Sequence, residues 1–221
     1  MVKLTFLGHA CFVIDDGTAK LIVDPFLTGN PAAAATPEEI EADYVFVTHG
    51  HSDHLGDAVQ IAERTGAVVC TSVDLAEAVF NGKGLKVEAG NMGGWIRFPF
   101  GRAKFFQAIH GSGAPGTLSS GFVFEIGGKK IYHAGDTALM TDMKLLEAEH
   151  IDAALLPIGD YYTMGPEDAL RAAEMIQAGL TIPMHYNTFP HISQDGDEFV
   201  CALAAGGLKG AVLKPGESLE L

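Results

Sequence analysis

The sequence predicts an α/β fold (α+β by some schemes): a four-layer αββα sandwich made of two similar halves, roughly 1–115 and 116–221, within one domain spanning residues 1–221. Three observations point there. Short strand-like runs alternate with helix-like ones along most of the chain. The stretches "FVIDDGTAKLIV" (12–23) and "FVFEIGGKKIYH" (122–133) align without gaps, matching at Phe, Val, Gly and Lys, and each opens a half that continues with αβ alternation. A chain of 221 residues with 48% hydrophobic content buries one large core. Two similar sheets, each with helices on its outer face, make four layers.

The elements follow in order. "KLTFLG", "CFVID" and "AKLIVDP" read as strands. "GNPAAAATPEEIEA" reads as loop or short helix, and "DYVFVT" as a strand buried on both faces, because its apolar residues run without alternation. "DAVQIAERTG" is helix-like with Gly66 as its stop, "AVVCTS" a strand, and "VDLAEAVFNGKG" a second helix ending at Asn-Gly. "LKVEAG", "GWIRFPFG" and "AKFFQAIHG" are further strands. "SGFVFEIGGKKIYHAGD" is a hairpin turning on Gly127-Gly128. Helix-like "TDMKLLEAEH" and "GPEDALRAAEMIQAG" then alternate with strands "DAALLPIG" and "TIPMHY"; Pro166 suits a first helical position, where no N–H is needed.

Composition excludes several classes. Fourteen basic against 28 acidic residues give a formal net charge of −14, without a Lys/Arg cluster to offset it, so neither nucleic acid nor an anionic membrane surface is an expected partner. No stretch approaches the ~18 consecutive apolar residues of a membrane span. The opening "MVKLTFLGHACFVIDDG" mixes His9, Asp15 and Asp16 into a strand pattern rather than a secretory leader, which points to the cytoplasm. Cys11, Cys70 and Cys201 are odd in number and far apart, so they read as structural thiols of a reducing compartment.

The chemistry concentrates in "VTHGHSDHLGD" (47–57), which places three of the nine histidines and one aspartate within six positions. In an extended segment His49, His51 and Asp53 share a face. His54 joins them where "HLGD" turns the backbone, so one loop offers two pairs of ligands to two metal ions. Four adjacent polar groups at the end of a buried strand carry a heavy desolvation cost without such a partner.

"THGHSDHLGD" resembles the HxHxDH signature of the metallo-β-lactamase fold hydrolases. The remaining ligand positions of that family have counterparts at strand ends: His110 in "QAIHGSG", Asp136 in "IYHAGDT" and His185 in "IPMHYNTFP". The resemblance covers essentially the whole chain, and the opening "FLGHACFVI…LIVDP" is most similar to the branch containing ascorbate-6-phosphate lactonase and small uncharacterised metal-dependent hydrolases. It implies that His49, His51 and His110 bind one metal, that Asp53, His54 and His185 bind a second, and that Asp136 bridges them. Five histidines and two carboxylates without thiolate suit Zn²⁺ first, and also Mn²⁺ or Fe²⁺. Two divalent ions supply the positive centre that the acidic surface lacks, and metal ligation lowers the pKa of water from ~15.7 towards ~7.

The resemblance also draws His9, at the end of the first strand, into the site as a contact rather than a ligand; with Asp53 and Asp136 it completes the candidate catalytic set. Asp24 in "IVDPF" is either a carboxylate that orients a ligand histidine or a turn-forming Asp-Pro. Tyr186, Asn187 and His191 in "YNTFPHI" are candidates for substrate contact, since loops at strand ends carry function. Tyr161, Tyr162, Thr163 and Met164 form either another wall or helix cap and core. His133 points either into the site or into the core, and His150 reads as solvated surface. The leading expectation is a hydrolase opening a small-molecule ester, lactone, amide or phosphoester. A nuclease of the same fold lacks a basic patch here, and an iron-dependent oxygen-using member of the fold is the third reading. A homo-oligomer stays open.

Overall fold

The computed structural model describes residues 1–221. Its first sheet contains β1 (Lys3–Gly8), β2 (Cys11–Asp15), β3 (Lys20–Val23), β4 (Tyr44–Phe46), β5 (Val68–Ser72), β6 (Val87–Gly90) and β13 (Ser218–Glu220), in the order β13-β1-β2-β3-β4-β5-β6. The second contains β7 (Trp95–Phe98), β8 (Gly101–Gln107), β9 (Ser120–Ile126), β10 (Lys129–His133), β11 (Ala153–Pro157) and β12 (Leu180–Met184), in the order β12-β11-β10-β9-β8-β7. The two segments that match in sequence are the hairpins β2–β3 and β9–β10. Each is followed by parallel additions, β4 to β6 in one sheet and β11 to β12 in the other. The chain crosses between sheets after β6, earlier than the division near 115 read from the sequence, and β13 returns to the first sheet.

Side-chain alternation assigns the faces. On β4, Phe46 turns inward and Val45 outward. Inward residues Leu4, Phe12, Ile14 and Phe46 of the first sheet meet Phe105, Phe122 and Phe124 of the second, with the Phe46 ring edge-on to Phe122 at 5.2 Å and to Phe124 at 4.8 Å. Outward Ile22, Val45 and Val69 pack beneath Ala58, Ile61 and Ala62 of α2 (Ala58–Thr65), which follows the single turn α1 (Ser52–Leu55). On the far side the Ala169, Ala172, Ala173 and Ile176 stripe of α4 (Pro166–Ile176) covers the second sheet at β11. The four layers are therefore helix, sheet, sheet, helix.

Local signals explain most boundaries. Gly66 ends α2 in the left-handed region at φ 73°, and Pro166 opens α4. The β9–β10 turn needs positive φ at both positions, which Gly127 (55°) and Gly128 (77°) supply. Two helix expectations differ. The segment after β5 makes only one α turn, α3 (Val73–Leu75), and continues as a wider π-type turn over Ala76–Phe80. Thr141–Glu149 forms 3-10 turns, because the buried Met140, Met143 and Leu146 recur every third residue and so align only at three residues per turn. A further helix without a counterpart among the expected elements, α5 (Gly196–Ala205), starts at the N-cap Asp195, which accepts from the amides of Asp197 and Glu198. No helix is long and apolar enough to cross a membrane.

Because β2 is antiparallel to both β1 and β3, strands β1, β3 and β4 run the same way; β8, β10, β11 and β12 do likewise. Their C-terminal ends gather at one edge of the sandwich, the position where open α/β sheets hold ligands.

Candidate metal centre

Each sequence-derived ligand sits just past one of those strand ends. His49, His51, Asp53 and His54 follow β4, His110 follows β8, Asp136 follows β10 and His185 follows β12. Their ligand atoms fall into overlapping groups: His49, His51 and His110; His49, His54 and Asp136; and His9, Asp53, His54 and His185. His49 Nε2 lies 2.9 Å from His51 Nδ1, which lies 3.3 Å from His110 Nε2. Asp136 stands between the groups, with Oδ1 3.1 Å from His54 Nε2 and Oδ2 3.1 Å from His185 Nε2 and 3.4 Å from His110 Nε2.

Proton accounting fixes which histidine nitrogens carry lone pairs. Asp24 is fully buried, and its carboxylate only accepts: Oδ1 takes the Thr48 amide (2.8 Å), and Oδ2 takes the Thr48 hydroxyl (2.7 Å) and His54 Nδ1–H (2.7 Å). With its proton committed to Asp24, Thr48 Oγ1 accepts from His49 Nδ1–H at 2.9 Å. In the neutral ring, His49 and His54 each therefore present an unprotonated Nε2 to the cluster. His9 is ordered the other way. Its Nε2–H donates to Asp53 Oδ2 at 3.2 Å, and its Nδ1 pairs with Thr188 Oγ1 at 2.9 Å.

The electrostatics keep the rings of His9, His49 and His110 neutral and the carboxyls of Asp53 and Asp136 ionised. Burial, reinforced by His54, drives the His49 pKa down to about 2, and burial lowers that of His110. Burial with His185 nearby takes His9 to about 4. For Asp53, burial is overridden by the His9 hydrogen bond and by His54, so the carboxyl stays ionised. Burial likewise opposes charge on Asp136 and His54, yet Asp136 and Asp24 hold His54 well above the histidine range, and His54 with His185 pulls Asp136 well below the carboxylate range; His54 therefore carries a second proton on Nε2, facing Asp136, which a cation bound there would displace. The cluster also leaves His54 Nε2, Asp136 Oδ1 and both ring nitrogens of His185 buried without a hydrogen-bond partner. Buried polar atoms are nearly always satisfied, and the three orphans that face one another, His54 Nε2, Asp136 Oδ1 and His185 Nε2, fit ligands facing metal ions.

Backbone strain collects here too. His9 (φ 59°), Asp24 (φ 48°) and His185 (φ 56°) are left-handed, each just past a strand, which swings its side chain off the pleat toward the others. Such positions cost about 1–3 kcal/mol each and persist where surrounding structure enforces them. The His185 amide, for example, donates to His9 O at 2.7 Å across the two sheets.

The centre opens into a cavity of about 520 Å³ whose wall, beyond His51, Asp53, His110, Asp136 and His185, is Phe26, Ser52, Tyr162 and Phe189. Three candidates lie outside that wall. Asn187 is exchanged with Gln194, donating to its carbonyl and accepting from its amide, both at 2.9 Å. His191 stacks on the exposed Tyr161 at 4.9 Å, and Tyr186 packs its hydroxyl end against Gly196. Met164 is buried in the core. His133 is a satisfied core residue, donating from Nε2 to Ala10 O and accepting the Gly135 amide at Nδ1. Thr48, Thr188, Phe26 and Phe189 were not among the candidates; adjacency to the ligand loops is the only signal the sequence offers for them.

An αββα sandwich with this centre at its strand ends defines a metal-dependent hydrolase of the metallo-β-lactamase fold. The chain belongs to the beta-lactamase superfamily: the model of the beta-lactamase superfamily domain matches residues 3–185. It is 47% identical over 225 residues to a UPF0173 metal-dependent hydrolase of Thermus thermophilus, covering 100% of both. It is 49% identical over 225 residues to one from Symbiobacterium thermophilum, again at full coverage of both. Among solved structures it resembles Igni18, a metallo hydrolase from the hyperthermophilic archaeon Ignicoccus hospitalis, with a TM-score of 0.92, 35% identity and coverage of 100% of this chain and 99% of that one.

Proposed function

We propose that the protein hydrolyses a small-molecule ester, lactone, amide or phosphoester at a dinuclear centre, with His49, His51 and His110 holding one ion, Asp53, His54 and His185 the other, and Asp136 between them. The observation that carries this reading is the set of buried, unsatisfied lone-pair atoms on His54, Asp136 and His185 beside a separate trio of histidine nitrogens. Bound divalent ions supply Lewis acidity and bring the pKa of water towards ~7. Zn²⁺ suits the nitrogen-rich donors best, with Mn²⁺ or Fe²⁺ also matched.

The chain's own groups do the rest. Asp24 and Thr48 hold two ring tautomers. Asp53, which lines the cavity, is kept ionised and oriented by His9 Nε2–H, so it is placed to take the proton that water sheds as its oxygen bonds to the carbonyl carbon. Asp53 then returns that proton to the departing alkoxide or amine; an ester or amide gives a carboxylic acid and an alcohol or amine, a lactone one hydroxy acid, and a phosphoester, attacked at phosphorus in the same way, a phosphate and an alcohol. A cavity of about 520 Å³ without Lys or Arg in its wall favours a small substrate over nucleic acid. Three free cysteines, one of them exposed, support a cytoplasmic setting.

Asp136→Asn tests the centre. The amide keeps the shape but removes the charge, so we expect hydrolysis across an ester and lactone panel to fall at least ~100-fold with the fold intact. Full activity in that variant, or one metal per wild-type chain by elemental analysis, would refute the dinuclear reading.

A further inference from the structure

We infer that the substrates are compounds uncharged away from the scissile bond, whose non-reacting part is aryl or alkyl, and that compounds bearing an anionic group away from that bond are excluded. This deepens the proposed function and rests on it for the position of the scissile bond.

Two independent features of the cavity carry the inference. The first is its apolar bracket. Phe26 and Phe189 face one another at 6.3 Å between ring centroids, both set edge-on to His9, at 5.7 and 5.5 Å. Tyr162, half exposed, closes the outer side. The two phenyl rings accept an apolar group and offer an anion no hydrogen-bond donor, and the neutral hydroxyls of Tyr162 and Ser52 supply no compensating charge.

The second is the distribution of charge. None of the 14 Lys and Arg residues falls between Lys20 and Arg64, between Lys104 and Lys129, or between Lys144 and Arg171. Those intervals contain every loop of the site except three: the one bearing His9, which has no cation between Lys3 and Lys20, the one bearing Asp136, which has none between Lys130 and Lys144, and the one after β12, which has none between Arg171 and Lys209. Lys129 and Lys130, before Asp136, are engaged with Asp152 and Glu149. Meanwhile the 159–166 loop that supplies Tyr162 also borders a neighbouring hollow of about 510 Å³ containing Asp160, Glu167, Asp168, Asp195 and Glu198. Bound metal draws the reacting oxygen, but a second anionic group on the substrate would lie against phenyl rings and beside carboxylates. Repulsion of that kind acts within the ~10 Å Debye length of ~0.1 M salt.

The test uses the metal-loaded protein and three acetates sharing one scissile bond: phenyl acetate, 4-carboxyphenyl acetate and 4-(trimethylammonio)phenyl acetate. At low ionic strength kcat/KM for the neutral ester should exceed that for the anionic one by about tenfold or more, with the gap shrinking near ~1 M salt, while the cationic ester falls between them or matches the neutral one. Ligand-observed NMR on the same compounds measures binding separately from turnover. Preferential binding of the neutral ester without turnover would uphold the substrate class and refute carbonyl hydrolysis. Equal binding or turnover of neutral and anionic esters at low salt, or binding of none, would overturn the inference. Tyr162→Lys sets a cation on the exposed side of the bracket and should raise the anionic-to-neutral ratio at least ~5-fold at low salt; an unchanged ratio counts against it.

Discussion

Asp24 shows how much one buried carboxylate can decide. It accepts from three donors, so it holds His54 directly and His49 through Thr48. In Asp24→Asn the amide N–H₂ faces donors; His54 must turn its lone pair to Nδ1 and carry its proton on Nε2, toward Asp136. We expect metal affinity to fall ~10–100-fold, measured by competition with a chromophoric chelator, together with a loss of about 1–3 kcal/mol in unfolding free energy. Unchanged affinity would mean that Asp24 is only a turn former. His133 is the contrasting case, and shows why a lone histidine is ambiguous in sequence: residue type is the same whether the ring faces the site or the core. Burial lowers its pKa from 6.5. The unfolded chain binds a proton there near pH ~6.5 and the folded chain only at lower pH, so stability falls as pH drops through and below that value, by at most ~1.4 kcal/mol per pH unit. Urea unfolding at about pH 7.5 and 5.5 should show a larger loss for the wild type than for His133→Gln. Equal losses would exclude His133 as the titrating group.

Among elements, the second half of the histidine motif has a role that ligand spacing does not reveal. α1 ends at Gly56 with φ 40° and ψ −124°, where a Cβ would lie 2.3 Å from Pro25 O. Asp57 then binds the 25–28 loop, donating its amide to Pro25 O and accepting the Leu27 and Thr28 amides at 3.0 and 2.8 Å. "HLGD" and "DPFLT" therefore form one unit that positions Asp24 on one side and Phe26 on the other. Asp57→Ala should free the loop, raising KM for apolar esters several-fold and costing about 1–2 kcal/mol of stability, with metal content unchanged. An unaltered KM would show that the loop holds without it. The pattern was legible for α2, α4 and the β9–β10 turn because local signals sit at their ends. It misled at 141–149, where the apolar spacing of three and the helical spacing of 3.6 are hard to separate over nine residues.

At the scale of the whole molecule, the clustering of the candidate ligands was readable in sequence because each stands beside a strand with its own apolar signature. Sheet membership was less so: β7 and β8 form a local hairpin closed between Phe98 and Gly101, but nothing in its own pattern tells that it joins the second sheet through β9 rather than extending the first beyond β6, a choice made only by the long-range assembly of the two sheets. The same long-range assembly makes metal and folding one problem. His49, His51, Asp53 and His54 hang from the first sheet, whereas His110, Asp136 and His185 hang from the second. The sheets already meet through the His185–His9 and Gly50–Ser112 backbone bonds. An unfolded chain cannot gather groups 136 positions apart (49 to 185), so ions bind the folded state almost exclusively. Free metal at ~1,000 times its Kd then adds about 4 kcal/mol for each ion bound, and at ~2–4 °C per kcal/mol for a chain this long each ion should raise the midpoint by roughly 8–16 °C. Calorimetry across a series of buffered free-metal concentrations checks this. The rise should continue with concentration beyond saturation, as mass action demands, and chelator should reverse it. A midpoint indifferent to metal would mean that the seven side chains do not ligate together, and that the orphaned atoms of His54, Asp136 and His185 are satisfied in some other way.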